Sequence, residues 1–136
     1  MKIMLDKGAK MPTRAHETDA GLDLYAREAF EVPAIGSAVH NTGVHLAIPY
    51  GFVGDVKSKS GLMVKHDITT DGTVDCGYTG AIHVKLFNHS MKAFQVEAGQ
   101  KIAQLVIKKI ITPELELVDS LEETDRGDGG FGSTGR

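Results

Sequence analysis

The strongest constraint on this chain is the repeated appearance of short runs in which apolar residues alternate one for one with polar or small ones. Val44, Leu46 and Ile48 alternate with His45 and Ala47, and Ile82, Val84 and Leu86 with His83 and Lys85. Leu115 and Leu117 alternate with Glu114 and Glu116 in the same way. Successive side chains of a strand point to opposite faces, so a period of two makes one face apolar; a helix would scatter it. The run from Ile102 to Ile107 is more continuously apolar and rich in β-branched residues, which predicts a strand covered on both faces. Pro12, Pro33, Pro49 and Pro113 stand at the edges of these runs, where a missing N–H costs no ladder bond. The pattern predicts an all-β fold of the sandwich, jelly-roll or distorted-barrel type. One short helix is expected over Gly61–His66, with Ser60 as its cap.

A length of 136 residues suits one domain with a single core, and 41% hydrophobic residues suffice to fill it. We expect one β domain over residues 1–118 and a flexible arm over 119–136, because the chain turns acidic after Asp119 and then glycine-rich from Gly127. The net charge of −3 and the scattered lysines predict no nucleic-acid partner. No run approaches the roughly 20 apolar residues that span a bilayer, and Met1–Met11 lacks the apolar centre of a secretory signal. With a single cysteine, Cys76, there is no disulfide framework. These features predict a soluble cytoplasmic protein with no membrane partner, in which the sequon-like Asn88-His89-Ser90 is chance.

Five segments carry possible chemistry, and each has a plainer reading beside it. Ala20–Ala26 reads as an early strand with Asp23 between leucines, either pointing outward or joining a structural ion pair. Pro49–Gly54 reads as a tight hairpin leading into Lys57-Ser58-Lys59-Ser60-Gly61-Leu62, a cationic turn before the helix. Backbone donors and a lysine there could hold an anion, or simply form an exposed basic turn. Gly72–Gly80 reads as a glycine-bounded hairpin. Its Asp75 could act as a base on water or cap the turn, and its Tyr78 could lie against a ring or pack the core. In Gly99–Val106, Gln104 interrupts an apolar strand and must find polar partners in the backbone or in a ligand. The tail from Arg126 to Arg136 holds Arg126, Phe131 and a Gly-Ser-Thr-Gly run, the parts needed to grip phosphate and cover a base; by composition alone it is a disordered end. Its match to G-x-G-x-x-G lacks the strand–turn–helix context of a dinucleotide fold. The six histidines show no zinc-ligand spacing.

Taken in order, AGLDLYA, PYGFVGDVKSKSGL, GTVDCGYTG, GQKIAQLV and RGDGGFGSTGR resemble the five motifs of the homotrimeric dUTP pyrophosphatases, over residues 20 to 136. The resemblance implies a jelly-roll-like distorted β-barrel. It also implies a homotrimer whose active sites draw on all three subunits, with the arm reaching a neighbour. The implied reaction is Mg²⁺-assisted hydrolysis of dUTP to dUMP and pyrophosphate, which clears dUTP from the nucleotide pool and supplies the dTMP precursor.

Carried over by position, Asp75 matches the carboxylate that activates the water attacking the α-phosphorus. Gly72, Thr73 and Val74 match the backbone that reads the uracil edge, and His83 adds a base contact. Tyr78 matches the ring under the deoxyribose. Lys59, Ser60, Gly61 and Gln104 match phosphate-binding positions, and Arg126 the γ-phosphate arginine. Phe131 matches the aromatic over the base, flanked by Gly132 and Ser133. Asp23 would meet the metal through water at most, or serve structure. Lys59 and Lys101 stand where the family uses arginine, Cys76-Gly77 replaces a more polar pair, and the stretch from His66 to Gly72 is short.

The neighbouring chemistry on such a fold, dCTP deamination, needs a glutamate base where this chain has Lys85. A nucleotide-responsive regulatory module and a purely structural protein are the readings from other classes; the first leaves Asp75 and Arg126 without a required role, the second also leaves Phe131 and the tail glycines unexplained.

Overall fold

The computed structural model describes residues 1–132 and Gly135. Among them the chain forms eleven strands and one helix. In chain order these are β1 (Lys2–Leu5), β2 (Gly21–Tyr25), β3 (Phe30–Val32), β4 (Gly36–Asn41), β5 (Val44–Ala47) and β6 (Phe52–Lys57). The helix α1 (Ser60–His66) follows, then β7 (Ile68–Thr69), β8 (Asp71–Val74), β9 (His83–Asn88), β10 (Phe94–Val96) and β11 (Lys101–Lys109).

Two antiparallel sheets dominate, one ordered β2-β11-β6-β8 and the other β4-β9-β7, with β1 paired to β5 and β3 to β10. Their inner faces share one core. Leu24, Val32, Val44, Leu46, Val56, Ile68, Val74, Val84, Leu86, Val96, Ile102 and Leu105 are buried in it and come from nine different strands. Each such side chain contributes about 1.5–3 kcal/mol by leaving water, so the sheets are held together mainly by this shared interior. The architecture is all-β with one short helix, a jelly-roll-like distorted barrel.

Two of the three alternating runs fold as their period requires. In β5 and β9 the apolar members are buried while most of the others face outward, and β11 buries Ile102, Ala103 and Leu105. Four local expectations differ. The segment Gly72–Gly80 is not a two-stranded hairpin: β8 pairs with β6, and after a turn the chain enters β9 in the other sheet. Glycines punctuate a sheet-to-sheet corner as readily as a hairpin. Likewise Pro49–Phe52 forms a tight turn (Phe52 N–H to Pro49 O, 3.1 Å), but β5 and β6 are not paired to each other.

Leu115 and Leu117 form no strand and are 97% and 101% exposed. The chain leaves the sheet after Lys109, with Ile110 N–H on Gly51 O at 2.9 Å, and finds no strand beyond that point to pair with among the described residues.

The helix also starts one residue early. Ser60 is its first residue rather than its cap; Lys59 occupies the cap position, in extended conformation, without a side-chain cap bond. An ammonium group has no acceptor for the helix N–H groups, and the Lys59 side chain turns to Asp23 instead. At the other end Asp67 adopts a left-handed conformation (φ 54°) that lets its N–H reach the Leu62 and Met63 carbonyls. Lys65 and His66 in the last turn favour the negative end of the helix dipole. No described helix is long and apolar enough to cross a membrane.

Candidate active site

The four-stranded sheet gathers most of the motif residues. Its register places Asp23 opposite Gln104, Gln104 opposite Lys57, and Lys57 opposite Asp71, one row across all four strands. Asp23 does not point to solvent: it is 4% exposed. Lys59 Nζ meets its Oδ1 at 2.5 Å and Lys101 Nζ meets its Oδ2 at 2.6 Å. Burial alone would push this carboxyl up, but the hydrogen bonds and charges of Lys101 and Lys59 outweigh it and hold the group below its ordinary value. A single buried carboxylate is thus neutralised by two ammonium groups, one per oxygen.

This arrangement decides how Asp23 stands toward a metal. Each oxygen is engaged by an ammonium group, so an approaching Mg²⁺ would meet two positive charges already in place. Among the described residues no three His, Cys, Asp or Glu side chains cluster to hold a metal. The ammonium of Lys59 is likewise committed to Asp23.

Around this ion cluster the cationic turn is tied down. Gln104 Nε2–H donates to Ser58 O at 3.0 Å. Ser58 Oγ donates to Thr70 O and accepts from Thr70 N–H, both at 2.9 Å. Gly21 makes room for Gln104, since a Cβ there would lie 2.2 Å from its Oε1. Ser60 and Gly61 are exposed at the start of the helix, with open space around Gly61.

The second group of residues lines a concavity of about 250 Å³ formed by Thr73, Val74, Asp75, Tyr78, Ile82 and His83. Asp75 is exposed just past the end of β8, and Tyr78 N–H returns to Asp75 O at 3.2 Å. Gly77 takes the left-handed conformation that this turn requires (φ 84°). Tyr78 Oη–H donates to Ala81 O at 2.9 Å, and His83 Nδ1–H donates to the same carbonyl at 2.9 Å. The phenol lies against Gly80, where a Cβ would approach its Oη to 2.5 Å. Gly72 lies two residues up the strand, opposite Val56. Because β8 is the last strand of its sheet, the outward backbone groups around Thr73 and Val74 have no ladder partner. A larger concavity of about 370 Å³, lined by Ile35, Gly36, Ser37, Phe87, Asn88 and His89, holds no residue of the five motif segments.

The two groups do not meet within one chain. Asp71 stands level with Lys57, and Asp75 lies four residues further along the chain, about 13 Å of extended backbone. Among the described residues of the arm, none hydrogen-bonds to either group. Arg126 Nε–H donates to Gly129 O at 3.0 Å within the arm, and Phe131 is fully exposed with Gly132 beside it. Ser133 lies outside the described residues.

Sequence reasoning assigned no role to Ser58, Thr70, Gly80 or His45, whose parts depend on partners 12 to 46 positions away or, for Gly80, on a ring two residues back. Nothing in their local sequence announces them. Lys101 was visible only as a lysine at an arginine position.

The family model described as dUTPase matches residues 7–135. The chain is 47% identical over 139 residues to the deoxyuridine 5'-triphosphate nucleotidohydrolase of Kluyveromyces lactis, covering 100% of this chain and 94% of that protein. It is 43% identical over 136 residues to the enzyme of the same name from Clostridium tetani, covering 98% and 94%. Among solved structures it superimposes on the dUTPase of Staphylococcus bacteriophage 80alpha with dUpNHpp, with a TM-score of 0.93, 33% identity, and coverage of 99% of this chain and 98% of that one. A mutant dUTPase from phage phi11 of S. aureus, described for its coordination of a structural Mg(II) ion, matches with a TM-score of 0.83, 31% identity, and coverage of 90% and 98%.

Proposed function

The chain belongs to the dUTPase family, and from that premise we propose that it hydrolyses dUTP to dUMP and pyrophosphate with Asp75 as the base that activates water. The observation that carries the residue assignment is the concavity in which Asp75, Tyr78 and the unpaired edge of β8 converge.

The uracil edge offers acceptor, donor, acceptor, and an unpaired strand edge offers backbone N–H and C=O groups that can answer it. In this concavity of about 250 Å³, discrimination against the methyl of thymine would fall to the walls formed by Val74 and Ile82. The Tyr78 ring, held by its bond to Ala81, forms a platform under the sugar on which a 2′-hydroxyl would collide. Asp75, exposed at the rim, is placed to take a proton from water. The water oxygen forms a bond to the α-phosphorus, the bond from that phosphorus to the bridging oxygen breaks, and pyrophosphate leaves with that oxygen.

The triphosphate would enter as its Mg²⁺ complex, since the ion prefers phosphate oxygens and water to the protein groups available here. The ion's charge offsets that of the phosphates as the leaving group departs. Ser60, Gly61 and Gln104 would face the phosphates, while Lys59 and Lys101 shape this surface by neutralising Asp23.

The distance between the two groups, and an arm that hydrogen-bonds to neither, support sites shared between subunits of a homotrimer. Arg126 would then reach the γ-phosphate of a neighbour, and Phe131 with Gly132 and Ser133 would cover its base.

The test is pyrophosphate release from dUTP, dCTP, dTTP and UTP measured side by side with Mg²⁺. We expect turnover of dUTP alone; ammonia released from dCTP, or inert dUTP, would refute the reading. Asp75→Asn should keep nucleotide binding and lose at least about 100-fold in kcat. Wild-type turnover in that variant would remove Asp75 from the role of base.

A further inference from the structure

The stretch from Asp75 to Ala81 carries both the proposed base and the proposed sugar platform, yet it belongs to no strand. Its internal bonds, Tyr78 N–H to Asp75 O and Tyr78 Oη–H to Ala81 O, shape the turn without fixing it to the body. The bond from His83 to Ala81 is local. Among the described residues, one hydrogen bond ties this stretch to a distant part of the chain: His45 Nδ1 to the Thr79 carbonyl, at 2.8 Å. A carbonyl oxygen only accepts, so Nδ1 carries the proton.

The far side of the ring is fixed as well. His45 Nε2 lies 3.1 Å from Asp6 Oδ1, and the other carboxylate oxygen of Asp6 lies 3.5 Å from the Arg27 guanidinium. The Asp6 backbone is anchored in turn, its N–H on Gly43 O at 2.9 Å and its carbonyl receiving Ala9 N–H at 3.0 Å. Arg27, Asp6, His45 and Thr79 thus form one line of polar contacts from the amino-terminal segment to the turn. The Thr79 carbonyl and the Asp6 carboxylate both only accept, so the ring holds the two partners together when Nδ1 and Nε2 each carry a proton.

We infer that His45, oriented by Asp6, is a positioning residue for hydrolysis: it holds Thr79, and through the turn holds Tyr78 and Asp75 where the reaction needs them. The inference rests on the assignment of Asp75 and Tyr78 made above. Its size follows from geometry, because a displacement of about 1 Å at a reacting group can cost on the order of 100-fold in rate.

Three substitutions at one position separate the two ends of the ring. Asparagine places its amide N–H near the site of Nδ1, glutamine places its own near Nε2, and leucine supplies neither. We expect His45→Leu and His45→Gln to lower kcat about tenfold with KM for dUTP changed less than about threefold, and His45→Asn to stay within about threefold of wild type in kcat. Amide hydrogen exchange in the 75–81 segment should quicken in the first two variants and not in the third.

The opposite ranking, with glutamine active and asparagine impaired, would mean that His45 only docks the amino-terminal strand through Asp6, and would overturn the inference. Unchanged exchange in His45→Gln would overturn it too. Should His45→Leu fail to fold, the asparagine and glutamine pair still gives the comparison. Asp75→Asn measured in parallel separates the two levels. Full turnover there removes the premise. An inactive Asp75→Asn beside a His45→Gln that loosens the turn yet keeps kcat removes the positioning role alone.

Discussion

His40 shows how one side chain can bind stability to pH without entering the chemistry. Its ring stacks on Phe30 at 4.5 Å, nearly parallel, and its Nε2 accepts Arg27 N–H at 2.8 Å. Burial lowers its affinity for a proton; Glu28 opposes that, and the charges of Arg27 and His83 add to it, so the net is below the ordinary value of 6.5. The unfolded chain therefore binds the proton more readily than the folded one, and stability falls as pH drops below about 6.5. Glutamine keeps an acceptor near Nε2 without titrating. We expect the midpoint of thermal unfolding to fall between pH 7 and 5, and His40→Gln to flatten that slope; parallel slopes would refute the assignment. Asp23 acts in a different window. Its carboxyl is held below the ordinary 3.8, so its contribution is complete above that value and is lost as pH falls through the lower, folded one. At this scale the sequence offered Asp23 as an ion-pair candidate, but neither of its partners could be named, because they come from two other parts of the chain.

At the scale of elements, alternation located β5 and β9, a continuous apolar run located β11, and the run with Asp23 between leucines located β2. The pairs β3–β10 and β7–β9 rest on two or three residues each, too few for a period to show. The residues Glu114–Leu117 teach the converse. Alternation states which face a segment would bury if a sheet received it, and within this chain no sheet does. The turn after β8 yields a prediction of its own. Gly80→Ala would bring a Cβ to 2.5 Å from Tyr78 Oη and 2.6 Å from the ring carbon bearing it, so the phenol must leave its bond to Ala81. We expect KM for dUTP to rise about tenfold with the fold intact, since the ring can swing outward. An unchanged KM would show that Tyr78 is not the sugar platform.

For the molecule as a whole, the order of five motifs made the family legible, while the geometry that unites them was not. Along the chain, Asp75 lies about 13 Å of extended backbone past Asp71, the β8 member of the row that holds Lys57 and Gln104, and Arg126 and Phe131 bond to neither group. If the sites are shared between copies, as proposed above, no pattern within one sequence displays how they assemble. Removing residues 126–136 should therefore leave the β fold and its thermal midpoint unchanged and lower dUTP turnover at least about tenfold; normal turnover after truncation would show that the arm is dispensable.

The separation of turn and arm also bears on inheritance. With sites shared between copies, a subunit altered at Asp75 still carries a sound arm, and a subunit without its arm still carries a sound turn. Two defective alleles expressed together could then restore activity that neither supports alone, whereas two lesions in the same turn could not.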